Sequence, residues 1–165
     1  MQWLKLWAVF VILLSGCGGS SSSKRVPVAS GATIEFYAVS SAAGPGTRAV
    51  VDPSTKSTLH LVLPAITDTA DVATVSKFDM EHPSSSSHVP STFEPALEVI
   101  LNPTGASKMK AATTPPVHSR IAILINGKVV SAPSIMGTIG GTFILTGDSH
   151  SPLYLKSISA VTGMP

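Results

Sequence analysis

The chain has 165 residues, of which 44% are hydrophobic and only 12% charged, so once a leader is set aside there is material for one globular core and not two. Eleven basic residues oppose nine acidic ones, and no basic run interleaved with aromatics occurs, which argues against a nucleic-acid partner. A single cysteine excludes an intramolecular disulfide.

The amino terminus reads as an export signal. Met1 to Lys5 is short and weakly basic, Leu6 to Leu14 is unbroken apolar sequence, and Leu14-Ser15-Gly16-Cys17 follows at once. That run is too short for a bilayer, which needs about 20 apolar residues, but suits a signal-peptide core of about 7–15. Leu-Ser-Gly-Cys resembles the lipobox of bacterial lipoproteins. The resemblance implies removal of residues 1–16, alkylation of the Cys17 thiol with diacylglycerol, and acylation of its amine with a chain such as palmitate. Two or three acyl chains make a stable membrane anchor. The alternative is an ordinary secretory leader with Cys17 beside the cut. Gly18 is not the aspartate that retains lipoproteins at the inner membrane, so an outer-membrane site facing the periplasm is expected if the source is Gram-negative. Loss of residues 1–16 removes Lys5 and no acid, leaving ten basic against nine acidic residues, a net of +1.

Residues 17–31 read as a flexible tether, since Gly18 to Ser23 is only glycine and serine and buries nothing. Ser21 and Lys24 form an S-x-x-K match, which chance explains better in such a segment. Residues 32–165 then form the domain. Ile34 to Val39 alternates as a first strand, with Glu35 toward solvent. Ala42 to Lys56 reads as loop, and Leu59 to Leu63 as a second strand with His60 facing outward. Thr67 or Asp68 can cap a short helix reaching Val75, and Val75 to Glu81 suits a further strand.

Pro83 to Thr92 is a low-complexity loop. His82 and His88 flank its serines at a spacing that matches no metal site, and neither cysteine nor clustered carboxylate accompanies them. Ala96 to Leu101 alternates clearly, with Leu97, Val99 and Leu101 on one face and Glu98 on the other. Pro103 or Thr104 opens a helix to about Thr113.

Arg120 to Ile125 is apolar on both faces, the pattern of a strand buried in the middle of a sheet. Asn126-Gly127 suits a type I′ reversal, because both residues tolerate φ > 0. It sets Ile125 opposite Lys128 and Ile123 opposite Val130. Pro133 ends that second strand. Ile135 to Ile139 and Thr142 to Thr146 then repeat the device around Gly140-Gly141, giving two tandem hairpins. Ser151 and Pro152 start a last helix in which Leu155, Ile158 and Val161 form the docking stripe. The expected class is α+β: a mixed or antiparallel sheet with two tandem hairpins packed against two or three short helices.

Several of these residues carry a further likeness. The apolar strand ending in Gly127-Lys128, then Val129, Ser131-Ala132-Pro133, Ile135, Gly140-Gly141 and Thr146-Gly147, resembles the head of the first periplasmic domain of SecD, the Sec translocon accessory. Ile34-Glu35-Phe36, Gly105, Ala106, Met109, Thr113 and the closing Gly163-Met164-Pro165 extend it. Tyr37, Asn126 and Ser149-His150 depart from the family pattern. The resemblance implies the head fold and contact with translocating chains. It carries no catalytic motif, and the membrane domain with which SecD couples proton flow to export has no counterpart after the leader.

Function classes follow from this. The leading expectation is a non-catalytic, lipid-anchored module that binds a polypeptide, either an export client or another envelope protein, by accepting an extended segment at an exposed strand. The alternative is a structural or regulatory envelope lipoprotein. An enzyme is not expected, since no G-x-S-x-G, H-E-x-x-H or phosphate-cradling glycine loop exists. Asp148 and His150 near Ser149 and Ser151 suit a turn and a helix cap better than a triad, because adjacent residues cannot converge on one nucleophile. No cofactor or metal is expected, and Cys17 is the one modified residue.

Overall fold

A computed structural model describes residues 24–82, 91–114, 120–148 and 150–164. The elements run β1 (Ile34–Ser40), β2 (Thr47–Val51), β3 (Thr58–Val62), a single 3-10 turn (Thr69–Asp71), β4 (Val72–His82), β5 (Thr92–Leu101), α1 (Pro103–Thr113), β6 (Ile121–Ile125), β7 (Lys128–Ser131), β8 (Thr142–Thr146) and α2 (Pro152–Thr162). The fold is α+β, with two antiparallel sheets ordered β2-β3-β1-β6-β7 and β4-β5-β8.

All five residues of β6 are buried, because it lies between two cores. Ile121, Ile123 and Ile125 join Phe36 in the main core, while Ala122 and Leu124 meet Tyr37, Leu59, Leu61 and Val129 in a second, smaller one. This double burial is why the run lacks polar alternation. Phe36 meets Phe143 edge to face with ring centroids 5.4 Å apart, joining the two sheets. The inner face of the three-stranded sheet supplies Val75, Leu97, Val99, Leu101 and Leu145, and the helices add Met109, Tyr154, Ile158 and Val161.

The helix ends follow the sequence. The Asn102 side chain accepts from the Gly105 N–H, with Pro103 in the first turn; Ser151 does the same for Tyr154, beside Pro152. Gly163 closes α2 at φ 64°, a conformation that glycine adopts without steric cost.

The Asn126-Gly127 reversal forms with φ of 50° and 73°, and Ile125 faces Lys128 as expected. Beyond it the register differs: Ile123 opposes Ser131, not Val130, because the ladder shifts by a residue between Ile123 and Leu124. Val129, opposite Leu124, lies in the second core and Val130 packs against the main one, as strand alternation directs.

The second hairpin does not form. Neither Gly140 nor Gly141 takes a positive φ, and β8 leaves the first sheet to pair with β5, Leu145 opposite Leu97 and Phe143 opposite Val99. Ile135 to Ile139 is an irregular crossover, in which the Ile139 N–H donates to Thr113 Oγ1 at 2.8 Å. Burying Phe143 and Leu145 against the main core outweighs the shorter loop of a local reversal.

Three other expectations change. The segment read as loop from Ala42 to Lys56 contains β2. The short helix is one turn capped by Asp68, ending before Val72 and Val75, which enter the sheet. On α2 the buried residues are Tyr154, Ile158 and Val161, whereas Leu155 is 39% exposed. Residues 24–31, expected as tether, are also fastened: Val26 and Val75 exchange both backbone hydrogen bonds, and the Ala29 N–H donates to the Val161 carbonyl at 2.8 Å.

Tyr154 links α2 to β5 and β8. Its hydroxyl lies 3.0 Å from the Leu145 carbonyl and 3.1 Å from that of Pro95, sharing one proton between them. Burial first, and the charge of Glu94 second, push its ionisation well above the usual tyrosine range. The folded pKa is raised, so this stabilisation is complete below the unfolded value of about 10 and is lost as pH climbs beyond it. Tyr154→Phe is expected to cost about 1–2 kcal/mol near neutral pH and to flatten the alkaline fall of stability in urea unfolding series.

Candidate peptide-binding edge

β2 is an outer strand of the five-stranded sheet, and among the described residues no strand continues the sheet beyond it. It pairs with β3 from Thr47↔Val62 to Val51↔Thr58. At the ends of this hairpin the Leu63 N–H donates to the Gly46 carbonyl and the Asp52 N–H to that of Ser57. Antiparallel alternation then directs the backbone groups of Arg48 and Val50 to β3. Those of Ala49 and Val51 point the other way, to the free edge. The Thr47 N–H is occupied by the Gly44 carbonyl at 3.1 Å.

The side chains divide by the same period of two. Val50 packs against the second core with Leu59 and Leu61, and the Arg48 guanidinium lies over the Tyr37 ring, 5.3 Å from its centroid. The Tyr37 hydroxyl donates to Glu35 Oε1 at 3.1 Å. Burial, with help from the Glu35 charge, raises the Tyr37 pKa against the opposing pull of Arg48. Thr47, Ala49 and Val51 face outward, and Val51 is 62% exposed. Leu63, at the foot of β3, is 45% exposed. An extended chain laid along Ala49 and Val51 meets two free donor–acceptor pairs and an apolar rim.

The hairpin is held by a buried carboxylate. Asp52, 2% exposed, accepts from the Ser54 N–H at 2.9 Å and the Ser54 hydroxyl at 2.6 Å, and faces Arg120 Nη2 at 3.4 Å. Arg120 also donates to the Ala132 carbonyl through Nε and Nη2. One side chain thus fastens the β2–β3 hairpin to β6 and the end of β7.

A second concavity opens under the crossover. Phe36, Met109, Ile121, Ile135, Ile139 and Phe143 are among its entirely apolar lining, and its volume is about 20 Å³. That is roughly one water molecule's worth of space and far below a ligand pocket of about 300 Å³. Met136, on the crossover, is 92% exposed.

Residues singled out in the sequence fall as follows. Cys17, Ser21 and His88 lie outside the described residues. His82 Nε2 contacts Glu94 at 3.3 Å. Asp148 accepts from the His150 N–H in a surface turn and Ser151 caps α2, while Ser149 lies outside the described residues. Among the described residues no group of ligands that could hold a metal occurs, and no helix is long and apolar enough to cross a membrane. The sequence missed β2, whose signal is the β-branched Val50-Val51 pair between glycine-rich and proline-containing turns.

Residues 72–152, from β4 to the first residue of α2, match the family model of the SecDF P1 head subdomain. Over that stretch, just under half of its length, the chain is similar to the SecDF head. Two solved structures are similar to it. One is a crystal structure of SecDF in its super-membrane-facing form, with 19% identity over 79% of this chain and a TM-score of 0.49. The other, of SecDF as a membrane component that enhances protein export, shows 17% identity over 94% of this chain and 78% of its own, also at TM-score 0.49. The present chain spans 18% of the length of the first. No curated protein matches it. The β2 edge lies outside the stretch that the head family model covers.

Proposed function

We propose that this protein is an exported, lipid-anchored and non-catalytic module of the cell envelope that binds extended polypeptide along β2, in the service of protein export. The anchor is Cys17, acylated after loss of residues 1–16, with the domain facing the periplasm from the outer membrane where the cell has two membranes. The observation that carries the reading is the pair of outward-facing backbone positions, Ala49 and Val51, on a strand whose other side is pinned by the Asp52–Arg120 contact. The head-like domain supports a connection with export, and the free edge supplies a means of holding an unfolded chain without reading its sequence closely.

Ala49→Pro is the test. It deletes an N–H that points away from β3, so the β2–β3 ladder survives, as proline is tolerated on sheet edges. Capture of extended peptides should weaken about tenfold, the equivalent of about 1.4 kcal/mol of lost edge pairing. A photo-crosslinker at Val51 should label exported chains in intact cells, and Ala49→Pro should abolish the labelling. Undiminished peptide capture by a folded Ala49→Pro variant would reject the edge as the site.

A further inference from the structure

The tether is shorter than its composition suggests, and it leaves the domain at a defined place. Val26 extends the β4 edge through Val75, the Ser76 hydroxyl donates to the Lys24 carbonyl at 3.3 Å, and Arg25 reaches across the sheet to Glu98 at 3.0 Å. Only the stretch from Cys17 to Lys24 is left to span the gap to an anchor. A chain of that length can reach at most about 25 Å. A tether running to residue 31 would have reached about 50 Å when extended, and would have left the orientation of the domain open.

Ser76 and Glu98 both belong to the outer face of the three-stranded sheet, the side turned away from the main core. Strand alternation adds Phe78 and Met80 from β4, Ile100 from β5, and Ile144 from β8 to that face, around a fully buried Ala96. The four larger side chains are half-buried and belong to neither core cluster. The charges there are Arg25 against Glu98 and Glu94, with Lys24 adding a second positive charge where the tether leaves, a neutral sum. An apolar, neutral sheet face beside the exit of a short tether suits a lipid surface, which rewards apolar burial and asks for no net charge.

We infer that the outer face of β4-β5-β8 rests on the membrane, with Phe78 and Ile144 at the level of the phospholipid headgroups. The inference rests on the anchor at Cys17. The five-stranded sheet that carries β2 lies across the main core from this face, so the β2 edge is not on the sheet that meets the lipid.

Both tryptophans, Trp3 and Trp7, lie in the leader, so Phe78→Trp, Ile144→Trp and Val51→Trp each give the mature chain a single reporter. The full chain is expressed with its leader, Cys17 acylation is read by mass spectrometry, and the lipidated protein is placed on phosphatidylcholine vesicles containing brominated lipid. Trp at position 78 or 144 should lose about half its emission, as expected for a ring about 5–10 Å into the headgroup boundary, while Trp at position 51 stays unquenched. The two independent positions guard against a variant that fails to fold. Vesicle-bound protein in which positions 78 and 144 are no more quenched than position 51 overturns the inference and leaves the anchor standing. Mature protein without lipid that fails to float with vesicles overturns the anchor, and the inference with it.

Discussion

Gly105→Ala is expected to destabilise the domain by about 2 kcal/mol, opposite in sign to what helix propensity gives. Gly105 occupies the third position of α1, where alanine would ordinarily gain about 1 kcal/mol. A Cβ placed there would lie 2.6 Å from the Asp71 carbonyl oxygen and 2.8 Å from Asp71 Cβ. The neighbour cannot yield cheaply. The Asp71 carbonyl accepts the Asn102 N–H at 2.8 Å, and its buried carboxylate takes the Asp68 N–H and the Lys108 ammonium at 2.8 Å. Relieving the clash therefore moves the α1 start, the capped turn at Asp68 and the end of β5 together, and overpacking of about 1–3 kcal/mol or more exceeds the propensity gain. Gly137→Ala is the matched control, because nothing lies within 4 Å of its added Cβ. Urea midpoints decide: Gly105→Ala at or above the parent midpoint would show that the glycine is not required by packing.

Elements with a local cause were legible in the sequence. The I-A-I-L-I run, the Asn126-Gly127 reversal and the Asn102-Pro103 and Ser151-Pro152 helix starts each depend on residues within a few positions, and each is present. What stayed hidden depends on distant partners. Thr142 to Thr146 alternates equally well for a hairpin with Ile135 to Ile139 or for pairing with β5. Only the packing of Phe143 against Phe36, more than a hundred residues earlier, separates the two. The extra residue at Val130 likewise has no signal in the local sequence. The candidate site was legible only in kind: an exposed strand was expected, but β2 was read as loop because Gly44, Gly46 and Pro53 crowd its ends. Val26 escaped notice too, since one valine beside a serine-rich stretch shows its role only when Val75 is beside it.

Arg120→Met should cost about 3 kcal/mol and weaken peptide capture at the same time, because it releases the hairpin that carries the free edge. Asp52 and Arg120 lie 68 positions apart in sequence, and their contact fixes the turn end of the hairpin, beyond the short β1–β3 ladder at Val39↔Leu61 and Ser40↔His60. Burial pushes the Asp52 carboxyl up, but hydrogen bonds from Ser54 and Thr55 outweigh it and hold the group below its usual range. It therefore stays ionised in the folded protein. Without the guanidinium, a charge that is 2% exposed has no cation beside it, and the Ala132 carbonyl loses its donors. Breaking a buried pair from one side costs about 3–5 kcal/mol, and the partial exposure of Arg120 places this case at the lower end. A depressed carboxylate pKa contributes stability above the unfolded value of about 3.9 and loses it as pH falls through the folded one. Because protonating Asp52 removes the charge that the guanidinium faces at 3.4 Å, the gap between parent and Arg120→Met should be widest where the carboxylate is ionised and narrow at acid pH. Adding Asp52→Asn to Arg120→Met should recover much of the loss, since no buried charge is then left alone. Unfolding curves for the four proteins of this cycle give the coupling directly. If Arg120→Met lies within about 0.5 kcal/mol of the parent, the hairpin is held by the β1–β3 ladder and by the second core through Leu59, Leu61 and Tyr37, and the edge it presents owes nothing to this pair.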